Sequence, residues 1–143
     1  MKTLKTSLLL AGLLTVSASF AQGGGAMSRE QKNAAEQSIE AQAKADKKAC
    51  DSMSGNAKDV CQAEAKAKEK TAKAELDFRA SGSDRDRTKA MQVKAEGEYE
   101  VAKERCEDQK GDAQDACKAR AKAQHQQSRA DTRQGQGMPA SKY

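Results

Sequence analysis

The chain has no tryptophan, one proline, one histidine, two tyrosines and two phenylalanines among its 143 residues. From Gln22 onward only Ile39, Val60, Leu76, Phe78, Val93 and Val101 supply leucine, isoleucine, valine or phenylalanine. Six such residues in 122 fall far below the roughly 20% that marks the edge of disorder for a charged chain. That scarcity excludes a conventional hydrophobic core. It also excludes an apolar small-molecule pocket, which needs clustered large side chains. No window alternates large β-branched residues with period two, so strands are not expected. The only long apolar run, Ser7 to Val16, lies at the beginning.

That run follows Lys2 and Lys5 and precedes Ser19-Phe20-Ala21, which puts small residues at both positions of a cleavage site. It reads as a cleaved signal peptide over 1–21, since a run of this length is too short to span about 30 Å of hydrocarbon. The expectation is a periplasmic protein, with secretion beyond the cell as the alternative. No transmembrane segment is expected in the mature chain. Without the signal the chain has 24 bases and 21 acids.

What is abundant is alanine, lysine, glutamate, glutamine, arginine and aspartate, the strong helix formers together with solubilising charge. The fold class read from this is all-α. Four N-cap signals divide the region: Ser28-Arg29-Glu30-Gln31, Asn56-Ala57-Lys58-Asp59, Ser83-Asp84-Arg85-Asp86 and Asp112-Ala113-Gln114-Asp115. In each, a short polar side chain can accept an orphan N–H of the first turn. Gly55, Gly82 and Gly111 stand just before three of them, as left-handed residues ending the preceding helix. The pattern predicts helices over about 29–54, 57–80, 84–110 and 113–132. A Gly-rich leader (22–27) and a tail (133–143) with the only proline read as flexible and disordered.

The chain repeats itself at a shift of 56 residues, which sets Cys50 on Cys106, Gly55 on Gly111 and Cys61 on Cys117. Over 47–74 against 103–130, 11 of 28 positions are identical. An exported chain with an even cysteine count is expected to be oxidised. The symmetric placement of each cysteine pair about its glycine favours local bridges, Cys50–Cys61 and Cys106–Cys117, across turns at Gly55-Asn56 and Gly111-Asp112. The crossed pairing, Cys50–Cys117 with Cys61–Cys106, remains open at this stage. The predicted architecture is two disulfide-stapled antiparallel hairpins, 28–80 and 84–132, joined by a linker at 81–83 and extended or loosely bundled in coiled-coil fashion. Steps of three and four from the cysteines trace a seam. In the first copy it runs Ala35, Ile39, Ala43, Asp46, Cys50, and in the second Met91, Ala95, Tyr99, Ala102, Cys106. Asp46 interrupts it.

No constellation for chemistry emerges. There is no Cys-x-x-Cys, no zinc-ligand spacing, no Gly-rich phosphate loop and no nucleophile–base pair. His125, flanked by Gln124, Gln126 and Gln127, reads as exposed and incidental. No cofactor, no metal and no enzyme activity are expected. The charge is uneven, however. Lys118, Arg120, Lys122, Arg129, Arg133 and Lys142 face one acid, Asp131, in the last 26 residues. The first five are candidate anion-binding residues. With Tyr143 the only aromatic there, specific nucleic-acid recognition is not expected.

Residues 40–125 resemble a group of exported bacterial proteins rich in alanine, lysine and glutamate with duplicated Cys-x4-Gly-x5-Cys hairpins. The segments that carry this are Ala49-Cys50-Asp51 through Val60-Cys61, and Val101 through Cys106 to Cys117. The resemblance implies helical hairpins and no particular activity. Composition is also similar to the helical stalk of TolA, a cell-envelope protein, but a recognisable TolA C-terminal domain is missing and no TolA role is implied. The functional expectation is a non-catalytic structural or interaction module of the cell envelope with protein partners. A periplasmic chaperone or stress protein, and a binder of anionic polymers through the basic end, are the alternatives.

Overall fold

The computed structural model describes residues 27–135. The segments read as signal peptide (1–21) and as most of the leader, and residues 136–143 of the expected tail, lie outside the described residues. Four helices follow one another: α1 (Arg29–Ala49), α2 (Gly55–Ser81), α3 (Asp84–Cys106) and α4 (Asp112–Gly135). A short 3-10 turn, Cys50–Ser52, closes α1.

The caps explain the starts. The Ser28 Oγ accepts from the Gln31 backbone N–H at 3.2 Å and the Gln31 side chain accepts from the Ser28 N–H at 2.9 Å, a complete capping box. Ser83 caps α3 through the Asp86 N–H at 3.1 Å. Gly82 ends α2 in the left-handed region at φ 63°, its N–H bonded to the Phe78 carbonyl at 2.7 Å.

The other two turns differ from the sequence expectation. Gly55 and Gly111 are left-handed (φ 57° and 56°), but each launches the following helix instead of ending the preceding one. The first-copy α-helix already stops at Ala49 and the second-copy one at Cys106, four or five residues before the predicted ends. Asn56 and Asp112 are not caps. The extended Ser54 occupies the cap position of α2 without a side-chain bond, and the Gly111 carbonyl accepts from Gln114 and Asp115 N–H at 2.9 and 3.2 Å. A bridge needs its two Cα atoms close, so the chain must reverse soon after the first cysteine; the second cysteine can lie deeper in its helix. At the other end, α4 continues to Gly135, into the stretch read as tail. Thr132 is buried there, with its hydroxyl donating to the Ser128 carbonyl at 2.8 Å, and this anchors the last turn.

Among the described residues α1 contacts only α2, and α4 only α3; the most extensive interface is between α2 and α3. The helices thus form an open antiparallel row instead of a closed bundle. Alanine makes this possible: Ala43, Ala65, Ala74, Ala90, Ala95 and Ala121 are buried, with Leu76, Val101, Cys50 and Cys106. The helices come close at Gly97, where an added Cβ would lie within 2.9 Å of the Ala67 Cβ. The two hairpins are therefore packed together through the α2–α3 contact, so that of the extended and loosely bundled arrangements the sequence left open the packed one is found. Met91, placed on the seam by periodicity, is 43% exposed.

Candidate functional site

The two bridges are local. Cys50–Cys61 and Cys106–Cys117 each join helices adjacent in sequence, with Cα atoms 5.6 Å apart, and no free cysteine remains. The turns they frame are copies in detail. The Met53 N–H meets the Cys50 carbonyl at 3.0 Å, and its equivalent Gln109 meets Cys106 at 3.1 Å. Lys58 pairs with Asp51 at 3.4 Å; at the matching positions the Gln114 side chain donates to Glu107 at 2.8 Å. The bridges are structural staples, and they are consistent with an oxidising, extracytoplasmic environment.

Between α3 and α4 the sequence expectation for His125 is overturned. Its side chain is only 12% exposed and its ring stacks on Tyr99, with centroids 4.6 Å apart and planes 5° from parallel. Nε2 lies 3.1 Å from a Glu96 carboxylate oxygen. The Lys103 ammonium sits 5.0 Å from the Tyr99 ring centre, a cation held over a π face. Glutamines flank His125 in sequence and are exposed, Gln124 and Gln127 at the rim of the α3–α4 groove, while His125 is aimed at α3. The legible signal was that Tyr99 sits on the predicted seam and that His125 lies four residues after Ala121.

The first hairpin fills the same positions differently. A shift of 56 residues takes His125 to Glu69, Tyr99 to Ala43, Lys103 to Lys47, Glu96 to Glu40 and Arg129 to Lys73. Here a ladder of ions crosses from α1 to α2. Lys47 meets Glu69 at 2.6 Å, Glu69 meets Lys73 at 3.2 Å, and Lys73 meets Glu40 at 2.9 Å. Lys68 pairs with Asp46 at 3.6 Å, so the acid that interrupts the seam is answered at its edge. The bond from Lys47, then that from Lys73, holds the Glu69 carboxyl below its ordinary value. Asp77 is held low chiefly by Lys32 at 2.8 Å and in part by Lys89 at 3.5 Å, so that one carboxylate ties α1, α2 and α3 together.

The five candidate anion-binding residues all lie on α4. Lys118, Lys122, Arg129 and Arg133 follow each other in steps of four, seven and four, which sets them along one flank, while Arg120 occupies the other. Lys118 pairs with Glu107 at 2.8 Å. Arg120, Lys122, Arg129 and Arg133 are exposed, and no carboxylate of the described residues pairs with them. The turn residues Gly55, Asn56, Gly111 and Asp112 lie at the starts of α2 and α4, between the bridged cysteines of each hairpin.

Among the described residues no group of three or more histidine, cysteine, aspartate or glutamate side chains is arranged to hold a metal ion. No helix described is long and apolar enough to cross a membrane. The grooves between neighbouring helices are shallow and lined by charged and small side chains, such as Glu64, Lys68, Lys94 and Val101 on one side of the α2–α3 contact. Such an arrangement offers charge-patterned surface, not an enclosed reaction volume. Comparison with known proteins finds no matching family, no matching curated protein and no matching solved structure.

Proposed function

We propose that the chain is a non-catalytic structural and interaction module of the bacterial cell envelope, acting in the periplasm after export and loss of residues 1–21. The observation that carries this reading is the open row: each end helix touches one neighbour, which leaves the outer faces of α1 and α4 and both broad sides of the row available to partners. Two staples hold the row in shape where large apolar side chains are too few to do so. Among the described residues the exposed large apolar side chains are Met53 and Met91, which is little surface for holding unfolded clients and weighs against the chaperone reading.

The test is crosslinking in intact cells followed by affinity purification of the oxidised protein from periplasm. The expected result is a small, reproducible set of envelope proteins. Suppression of client aggregation without stable partners would favour a chaperone instead. The intact mass of the recovered protein reports the export step: a chain beginning at Gln22 is expected, and a mass retaining Met1 would refute cleavage.

A further inference from the structure

The duplication gives the outer face of α4 a template. Under the 56-residue shift, the α2 face that α3 covers becomes the α4 face that no other described helix covers. Ala63 and Ala67 of the covered face correspond to the exposed Ala119 and Ala123. Two ion pairs orient α3 on α2: Glu64 with Arg105 at 2.6 Å, and Asp77 with Lys89 at 3.5 Å. At the positions of these two carboxylates α4 carries Arg120 and Arg133. The small alanines of the surface are repeated and the sign of both orienting charges is reversed.

We infer that α4 docks an acidic amphipathic helix of a partner protein, laid on it as α3 lies on α2, with a carboxylate where α3 has Lys89 and another where it has Arg105. Those two positions are sixteen residues apart, and Gly97 stands midway between them, in close contact with Ala67 of α2. The partner helix accordingly carries two acids at that spacing and a glycine or alanine halfway. Lys122, the copy of Lys66, which faces Glu96, Glu100 and Glu104 across the α2–α3 groove, adds attraction for further acids on the same helix. A second copy of this chain does not fit. Its free helix α1 has Asn33, Ala41 and Ala49 at the three corresponding positions and presents Lys44 and Lys48 beside them. The inference rests on the interaction-module reading and gives it a surface and a partner chemistry.

The probe is a fluorescent, staple-stabilised peptide of residues 84–106 bearing Lys89→Glu, Arg105→Glu and Cys106→Ser. It is compared with the same peptide retaining Lys89 and Arg105, each titrated with oxidised full-length protein. The acidic peptide is expected to bind about tenfold more tightly than the basic one, a difference of about 1.4 kcal/mol. The doubly exchanged protein, Arg120→Glu with Arg133→Glu, is expected to reverse that order; both positions are exposed, and its circular dichroism melt verifies folding. Lys44→Glu with Lys48→Glu on α1 is expected to change nothing. Equal binding of the two peptides, binding of neither, or an order that survives the exchange overturns the inference. So does retention on anionic phospholipid vesicles at about 0.15 M salt that Arg120 and Arg133 control while the peptides are not distinguished, since the flank then reads a charged surface and not a helix. If crosslinked envelope partners persist with the exchanged protein while peptide discrimination fails, the α4 assignment falls and the module reading stands.

Discussion

The two hairpins share one frame and differ in what fills it. Both reverse at a left-handed glycine and are stapled across the same span, with the same 5.6 Å between Cα atoms. Yet α1 lies against α2 through a ladder of lysine–glutamate pairs, whereas α3 lies against α4 through the Tyr99–His125 stack with Glu96 and Lys103 around it. The comparison teaches that register and content are separable here. The covalent staple and turn fix which positions face each other, so the seam can hold ions in one copy and rings in the other.

The largest test removes the frame. In the chain-entropy view each bridge contributes up to about 3 kcal/mol, and reduction removes both. Circular dichroism melts are expected to fall by 10 °C or more on adding reductant, on the order implied by about 4–8 °C per kcal/mol for a domain of this size. Removing the pairs one at a time sharpens the comparison: without Cys50–Cys61, amide exchange is expected to accelerate across α1, and without Cys106–Cys117 across α4. Unchanged melts would show that the seams suffice by themselves.

Next in size is the contact that joins the hairpins. Gly97→Val places a branched side chain where even a Cβ lies 2.9 Å from Ala67, and is expected to cost about 2 kcal/mol through forced separation of α2 and α3. Both hairpins should retain their helicity locally while the global melt falls. A stabilised protein would mean that the gain in helix propensity of valine over glycine, about 0.4 kcal/mol, together with any new burial outweighs the strain.

Tyr99→Ala comes third. It converts the second seam toward the first, whose equivalent residue is Ala43, and should cost about 1–2 kcal/mol from lost stacking and burial. Hydrogen exchange is the discriminating measurement, with protection lost along α3–α4 and kept along α1–α2. Equal loss in both would place Tyr99 in a global rather than a local role.

The smallest effect is acid sensitivity that appears first in the first hairpin, with Asp77 carrying part of it to α3. Glu69 and Asp77 are held below their ordinary values of 4.5 and 3.8 by their lysine partners. The unfolded chain therefore takes up their protons more readily than the folded one. Their contribution is complete above about pH 4.5 and is lost as the pH falls through the lowered folded values. Exchange in α1 should rise before exchange in α4 as the pH is taken to about 3, and high salt should act in the same direction by screening the ladder. Simultaneous loss in both hairpins would remove the ionic seam from the account.

The local features were legible in the sequence because they are local. The capping box at Ser28, the cap at Ser83 and the left-handed Gly82 depend on a few neighbouring residues whose types allow little else. The pairing of cysteines followed from their symmetric spacing about a turn. The same symmetry misled at Asn56 and Asp112, since a short polar residue after glycine looks like a cap wherever the preceding helix stops. Only coordinates show that it stops four residues earlier, at the first cysteine.

By itself, then, the sequence determined helices, turns, a duplicated unit and its covalent pairs, all set by interactions within about a dozen residues along the chain. Tertiary structure alone decided that α2 and α3 form the principal interface, that Gly97 packs tightly against Ala67, and that His125 is turned onto Tyr99 instead of into water. The physical reason is the scarcity of large apolar side chains. Alanine and glycine mark every face of an alanine-rich helix almost alike, so periodicity cannot say which face is covered, and the choice falls to close backbone approach and to ion pairs between residues far apart in the chain, such as Glu64 with Arg105.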